Sequence, residues 1–90
     1  MRFAWDEQKN AANIRKHGLG FADAEAVFAQ RMLYILDERH DYGEERWNGI
    51  GLLGLRVVVV VFTEPYRNTI RIISLRKATP HERIRYEKGY

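Results

Sequence analysis

Cysteine is absent from this 90-residue chain and serine occurs once. Without cysteine there can be no disulfide, no thiolate nucleophile and no thiolate metal site. The absence also suits a reducing compartment. The single serine, Ser74, lies in a strand-like run. A nucleophilic serine of the GxSxG type sits on a sharp strand-to-helix turn, so Ser74 reads as a small residue in a crowded strand. Histidines at 17, 40 and 81 lack a ligand-like spacing, and neither HExxH nor a glycine-rich phosphate loop occurs. No metal and no cofactor is therefore expected. The longest apolar run, Val57 to Phe62, falls far short of the roughly 20 residues that span a membrane. The first residues, Met1-Arg2-Phe3-Ala4-Trp5-Asp6, carry no signal-peptide-like stretch. The expectation is a soluble, cytoplasmic protein with no membrane role.

What is present is a globular balance, 46% hydrophobic and 30% charged. The length suits one domain over residues 1–90. A core this small is marginal, and with no disulfide to help, a partner protein is the natural source of extra stability. A net charge of +3 favours approach to a polyanion without saying which one.

Asp6 reads as the N-cap of a helix over Glu7 to Lys16, stopped by Gly18 after the basic turn Arg15-Lys16-His17. Phe21, Ala24, Val27 and Phe28 recur at helical spacing and mark a second helix. Phe3-Ala4-Trp5 reads as a short strand or an extended arm. Strands follow over Leu33 to Asp37, Glu45 to Leu53, Leu55 to Thr63 and Thr69 to Ala78. Asp41-Tyr42-Gly43 reads as a turn and Glu64 to Asn68 as a hairpin loop. Gly49, Gly51 and Gly54 are expected to loosen their strand or mark bulges. Thr79-Pro80-His81-Glu82 reads as a capping box that opens a closing helix to about Lys88. The implied class is α+β, two N-terminal helices and one C-terminal helix packed on an antiparallel sheet.

Basic and acid/base groups cluster at the ends of these elements. Strict alternation over Thr69 to Ala78 sends Arg71 and Arg76 to opposite faces. In a covered strand each arginine needs an ion pair, with Glu44, Glu45 or Asp37 for example, or an opening onto a groove. Arg83 and Tyr86 share a helix face and could grip phosphate and stack a base, or simply form a solvated terminal helix. His17 reads equally as a general acid or base and as a capping imidazole at a helix C-terminus. Trp5 and Trp47 read as core aromatics.

The order of these residues resembles the BrnT family, toxins of bacterial type II toxin–antitoxin systems. Trp5-Asp6, Lys9, Asn13 and Lys16-His17-Gly18 carry the first block, with Phe21, Ala24 and Val27-Phe28. Asp37, Arg39, Gly43-Glu44, Arg46 and Ile50-Gly51 carry the second. Ile70-Arg71-Ile72-Ile73-Ser74, Arg76, Ala78, Glu82-Arg83 and Tyr86-Glu87 carry the third. The resemblance implies a RelE-like toxin that cleaves RNA without a metal. It also implies neutralisation by a BrnA-like antitoxin, through which alone the complex reaches operator DNA. Metal-free cleavage uses the substrate's 2′-hydroxyl and needs a base, cations and an acid. Arg76 and Arg83 are the expected cations, with Arg46 or Arg71 in support. His17 or Glu44 is the expected base, and Tyr86 or His17 the acid. The rival reading is a basic module that binds RNA or a partner without chemistry. A DNA-binding repressor is weaker, because no helix-turn-helix pair stands out.

Overall fold

Asp6 accepts hydrogen bonds from the backbone N–H groups of Gln8 and Lys9, at 2.8 and 3.3 Å, and so starts α1 (Glu7–His17). Gly18, at φ 72°, ends it in the left-handed conformation that glycine adopts without penalty. The computed structural model describes residues 1–38 and 44–89. The turn expected at Asp41-Tyr42-Gly43, like Arg39, His40 and Tyr90, lies outside the described residues. The second expected helix is divided into a 3-10 turn, Phe21–Asp23, and a short α2 (Ala24–Phe28). Its apolar stripe behaves as the spacing requires, with Phe21, Ala24 and Val27 fully buried.

Five strands follow the expected runs: β1 (Arg2–Ala4), β2 (Met32–Asp37), β3 (Arg46–Leu53), β4 (Arg56–Tyr66) and β5 (Thr69–Lys77). β4 runs on through Pro65, so the expected five-residue loop contracts to Arg67-Asn68, with Asn68 at φ 64°. The ladder is irregular between Thr63 and Tyr66, where a residue without an N–H is tolerated. The closing helix, α3 (Pro80–Lys88), opens on the expected capping box between Thr79 and Glu82.

The sheet order is β1-β5-β4-β3-β2. Three of its pairs are antiparallel, but β1 lies parallel to β5. The sheet is therefore mixed where an antiparallel one was expected. No short hairpin joins β1 to β5, so nothing local dictates their relative direction.

α1, the 3-10 turn and α2 cover one face, over Val58, Val60, Phe62, Ile70, Ile72 and Leu75. α3 lies on the opposite face, where Tyr86 packs with Ile50 and Val59, flanked by Leu33, Leu52 and Val57. Gly49 and Gly51 do not loosen β3 as expected. A Cβ at Gly51 would stand 2.8 Å from Val27 Cγ1, so Gly51 admits close packing of α2, while one at Gly49 would displace the flexible end of Met32 and press on Phe62 Cε1 at 3.2 Å.

Two side-chain clamps fix the layers. Asn13, buried in α1, donates to the carbonyls of Leu19 and Leu75, both at 2.8 Å, and accepts from the Leu75 N–H at 3.1 Å. β1 pairs with β5 only through Arg71, and beyond it the Asn13 amide takes the place of a neighbouring strand for Leu75. On the other face, Arg31 donates to the Tyr86 carbonyl at 3.1 Å and the Tyr86 hydroxyl donates to the Arg31 carbonyl at 3.0 Å. The Arg31 guanidinium also lies 4.1 Å from the Tyr86 ring centroid.

Candidate active site

Pairing runs from Val61 opposite Ser74 directly to Phe62 opposite Ile72, which leaves Ile73 as an extra residue in β5. This bulge resets the alternation. Arg71 then faces Thr63 and Arg76 faces Val59, positions four apart on β4 and so on one face. The two arginines that strict alternation separates thus share the α3 face of the sheet. At the end of that face away from α3, Asp37 pairs with Arg46 and Thr63 with Arg71, one position beyond the last β3–β4 pair, Trp47 with Phe62. Thr63 is buried there, and its hydroxyl has no hydrogen-bond partner among the described residues.

Beside the bulge, where β1 gives way to α1, a cleft of about 360 Å³ opens. Glu44, Arg46 and Arg71 line it together with Trp5, Asp6 and Lys9. Three cations, from α1, β3 and β5, therefore converge with two carboxylates and an indole from the segments that precede α1 and β3. Asp6 is committed to capping α1. Trp5 is half-buried, held edge-to-face on Phe21 with centroids 6.4 Å apart and donating its indole N–H to Glu7.

The other expected site residues lie elsewhere. Arg76 forms its ion pair with Glu82 of α3, by two contacts of 2.8 and 2.9 Å, in place of the acids considered from sequence. That pairing, opposed only in part by burial, lowers the Glu82 carboxyl to about 2. His17 and Arg76 line a second cleft with Lys16, Lys77 and Thr79. Arg83 is exposed and lines a third with Arg56, Lys77 and Ala78. Tyr86 is buried, with its hydroxyl taken by the Arg31 carbonyl. So the fold brings Glu44, Arg46 and Arg71 to one cleft and His17 and Arg76 to another, and it leaves Arg83 and Tyr86 apart from both.

Residues 5–82 match the family model described as the ribonuclease toxin BrnT of type II toxin–antitoxin systems. The chain belongs to the BrnT family. It is similar to the crystal structure of the Brucella abortus ribonuclease toxin BrnT, with 32% identity over 88% of this chain and 97% of that one, and a TM-score of 0.70. No curated relative matches. The α+β fold read from the sequence is the BrnT fold. BrnT membership implies an RNA substrate and an antitoxin partner. No helix among the described residues is long and apolar enough to cross a membrane.

In this BrnT-family chain Trp5 and Lys9 line the cleft although neither is among the candidate site residues read from the sequence. Lys9 lies one turn beyond the Asp6 cap and so faces the same end of the sheet as Trp5. That spacing was readable, but the arrival of Arg71 and Arg46 at the same place was not.

Proposed function

We propose that this BrnT-family toxin is an endoribonuclease that cleaves RNA without a metal, using the cleft between α1 and the β5 bulge. The observation that carries the reading is the convergence there of Glu44, Arg46, Arg71 and Lys9. Glu44 accepts the proton of a substrate 2′-hydroxyl as its oxygen attacks the adjacent phosphorus. Arg46 and Arg71 stabilise the added negative charge on the phosphoryl oxygens. The bond to the 5′-oxygen then breaks, and that oxygen leaves with a proton from Lys9. The products are a 2′,3′-cyclic phosphate and a 5′-hydroxyl. His17 and Tyr86 were the acids expected from sequence, but one lies in another cleft and the other is buried on Arg31. Arg76 acts on this reading as a brace between β5 and α3, and Arg83 as a surface cation. The cations of the cleft supply the charge that a metal ion would otherwise provide. A BrnA-like antitoxin is the proposed neutralising partner in the cytoplasm, and operator DNA is reached through that complex.

The test is cleavage of single-stranded RNA by the purified protein in EDTA. Products ending in cyclic phosphate, and resistance of an RNA methylated at every 2′-oxygen, are the expected results. Binding without cleavage, or cleavage only when a divalent ion is restored, overturns the reading.

A further inference from the structure

The second and third clefts share Lys77 and so form one surface at the far end of β5, about 17 Å from Arg71 at the ordinary rise of a strand over the paired residues Val58 to Thr63. They enclose about 480 and 680 Å³. Lys16 reaches this surface from α1, Arg56 from β4, Lys77 from β5 and Arg83 from α3, and all four are exposed. No carboxylate is among the described residues that line either cleft. The nearby Glu82 is engaged by Arg76 and by the Thr79 cap.

Local electrostatics accounts for only part of this arrangement. The C-terminus of α1 favours the cations at Lys16 and His17. Arg83 stands in the opposite situation, near the N-terminus of α3, where the helix dipole disfavours a positive charge. Lys77 shares its cleft with that same helix end, whereas Arg56 comes from β4 and lines only the other cleft. Four cations gathered from four elements without acids repel one another, and a polyanion relieves that repulsion.

We infer that this surface is a second RNA-backbone site, which holds a phosphate run outside the cleavage cleft and so favours long single-stranded substrates over short ones. The inference requires RNA as ligand and does not depend on the chemistry assigned to the cleft. Phosphate contacts of this kind raise affinity without reading sequence. Each one lost lowers the salt dependence of binding by about 0.7 on a log–log plot for single strands.

The experiment compares the wild type with the double variant Lys77→Glu/Arg83→Glu, with folding of both checked by circular dichroism. A labelled, fully 2′-O-methylated single-stranded RNA serves as the binding probe, titrated at several salt concentrations. A dinucleoside monophosphate and a long RNA serve as substrates. The expected result is at least a tenfold loss of affinity for the long probe, a shallower salt slope, a raised KM for the long RNA and unchanged turnover of the dinucleotide. Unaltered affinity and salt slope overturn the inference, as does a variant that binds RNA normally but fails to pair with its antitoxin. Because the probe cannot be cleaved, absence of ribonuclease activity in the wild type counts against the cleft and leaves this measurement decisive.

Discussion

Arg76 and Glu82 face each other across the β5–α3 turn through two parallel contacts, Nη1 to Oε1 at 2.8 Å and Nη2 to Oε2 at 2.9 Å. The same Oε1 accepts the Thr79 N–H at 2.8 Å, while the Thr79 hydroxyl accepts the Glu82 N–H at 3.2 Å. One carboxylate therefore joins the end of a strand to the start of a helix. Its pKa falls from 4.5 to about 2, chiefly through the hydrogen bond from Arg76. A carboxylate lowered in this way contributes stability above its unfolded value, and that contribution is lost as pH falls from about 4.5 to about 2. Glu82→Gln should therefore lower stability at neutral pH and flatten the acid limb within that window. Urea unfolding followed across the window checks this, and an acid limb identical to wild type refutes it.

Asn13 meets three backbone groups, two of them on Leu75, where β5 runs past the end of its pairing with β1. Asn13→Ala leaves the Leu19 and Leu75 carbonyls and the Leu75 N–H unpaired in a buried site. At about 1–3 kcal/mol for each orphaned group, a total loss of about 3 kcal/mol or more is expected. That is a large share of the few kcal/mol that stabilise a domain of this size. Chemical denaturation of the variant gives the number directly.

Tyr86 separates a structural role from a catalytic one. Tyr86→Phe removes the hydroxyl that donates to Arg31 but keeps the ring beneath the guanidinium. The expected cost is about 1 kcal/mol, read as a Tm lower by about 4–8 °C. RNA cleavage measured well below the transition should be unchanged. A large fall in kcat with an unaltered Tm would return Tyr86 to the role of acid.

Arg46 and Arg71 approach the proposed phosphate from separate strands. Removing either should lower kcat by about 10²–10³, the usual cost of one preorganised charge donor. Arg71→Lys keeps the charge but loses the planar fork and should restore only part of the rate. Single-turnover cleavage of a defined RNA distinguishes these outcomes from a change in binding.

Gly51 tests the close seat of α2 on the sheet. In Gly51→Ala the new methyl group meets Val27 at 2.8 Å and Met32 at 3.1 Å. Overpacking of this kind costs about 1–3 kcal/mol, and thermal unfolding should show it without loss of cleavage in the folded fraction.

The sequence by itself determined what depends on near neighbours. The Asp6 cap, the Gly18 stop, the Thr79–Glu82 capping box and the β-branched run of β4 each act within a few residues, so they were legible in order along the chain. The candidates Glu44, Arg46 and Arg71 were legible as residue types suited to RNA chemistry. The tertiary structure alone decided where they meet. Placing Arg71 and Arg76 on one face needed the extra residue at Ile73, a register choice made against β4. The direction of β1, the preference of Arg76 for Glu82 and the use of Gly51 as a seat for packing depend on elements far apart in sequence. Alternation within one strand carries no information about such contacts, because they are set by the neighbours that folding supplies.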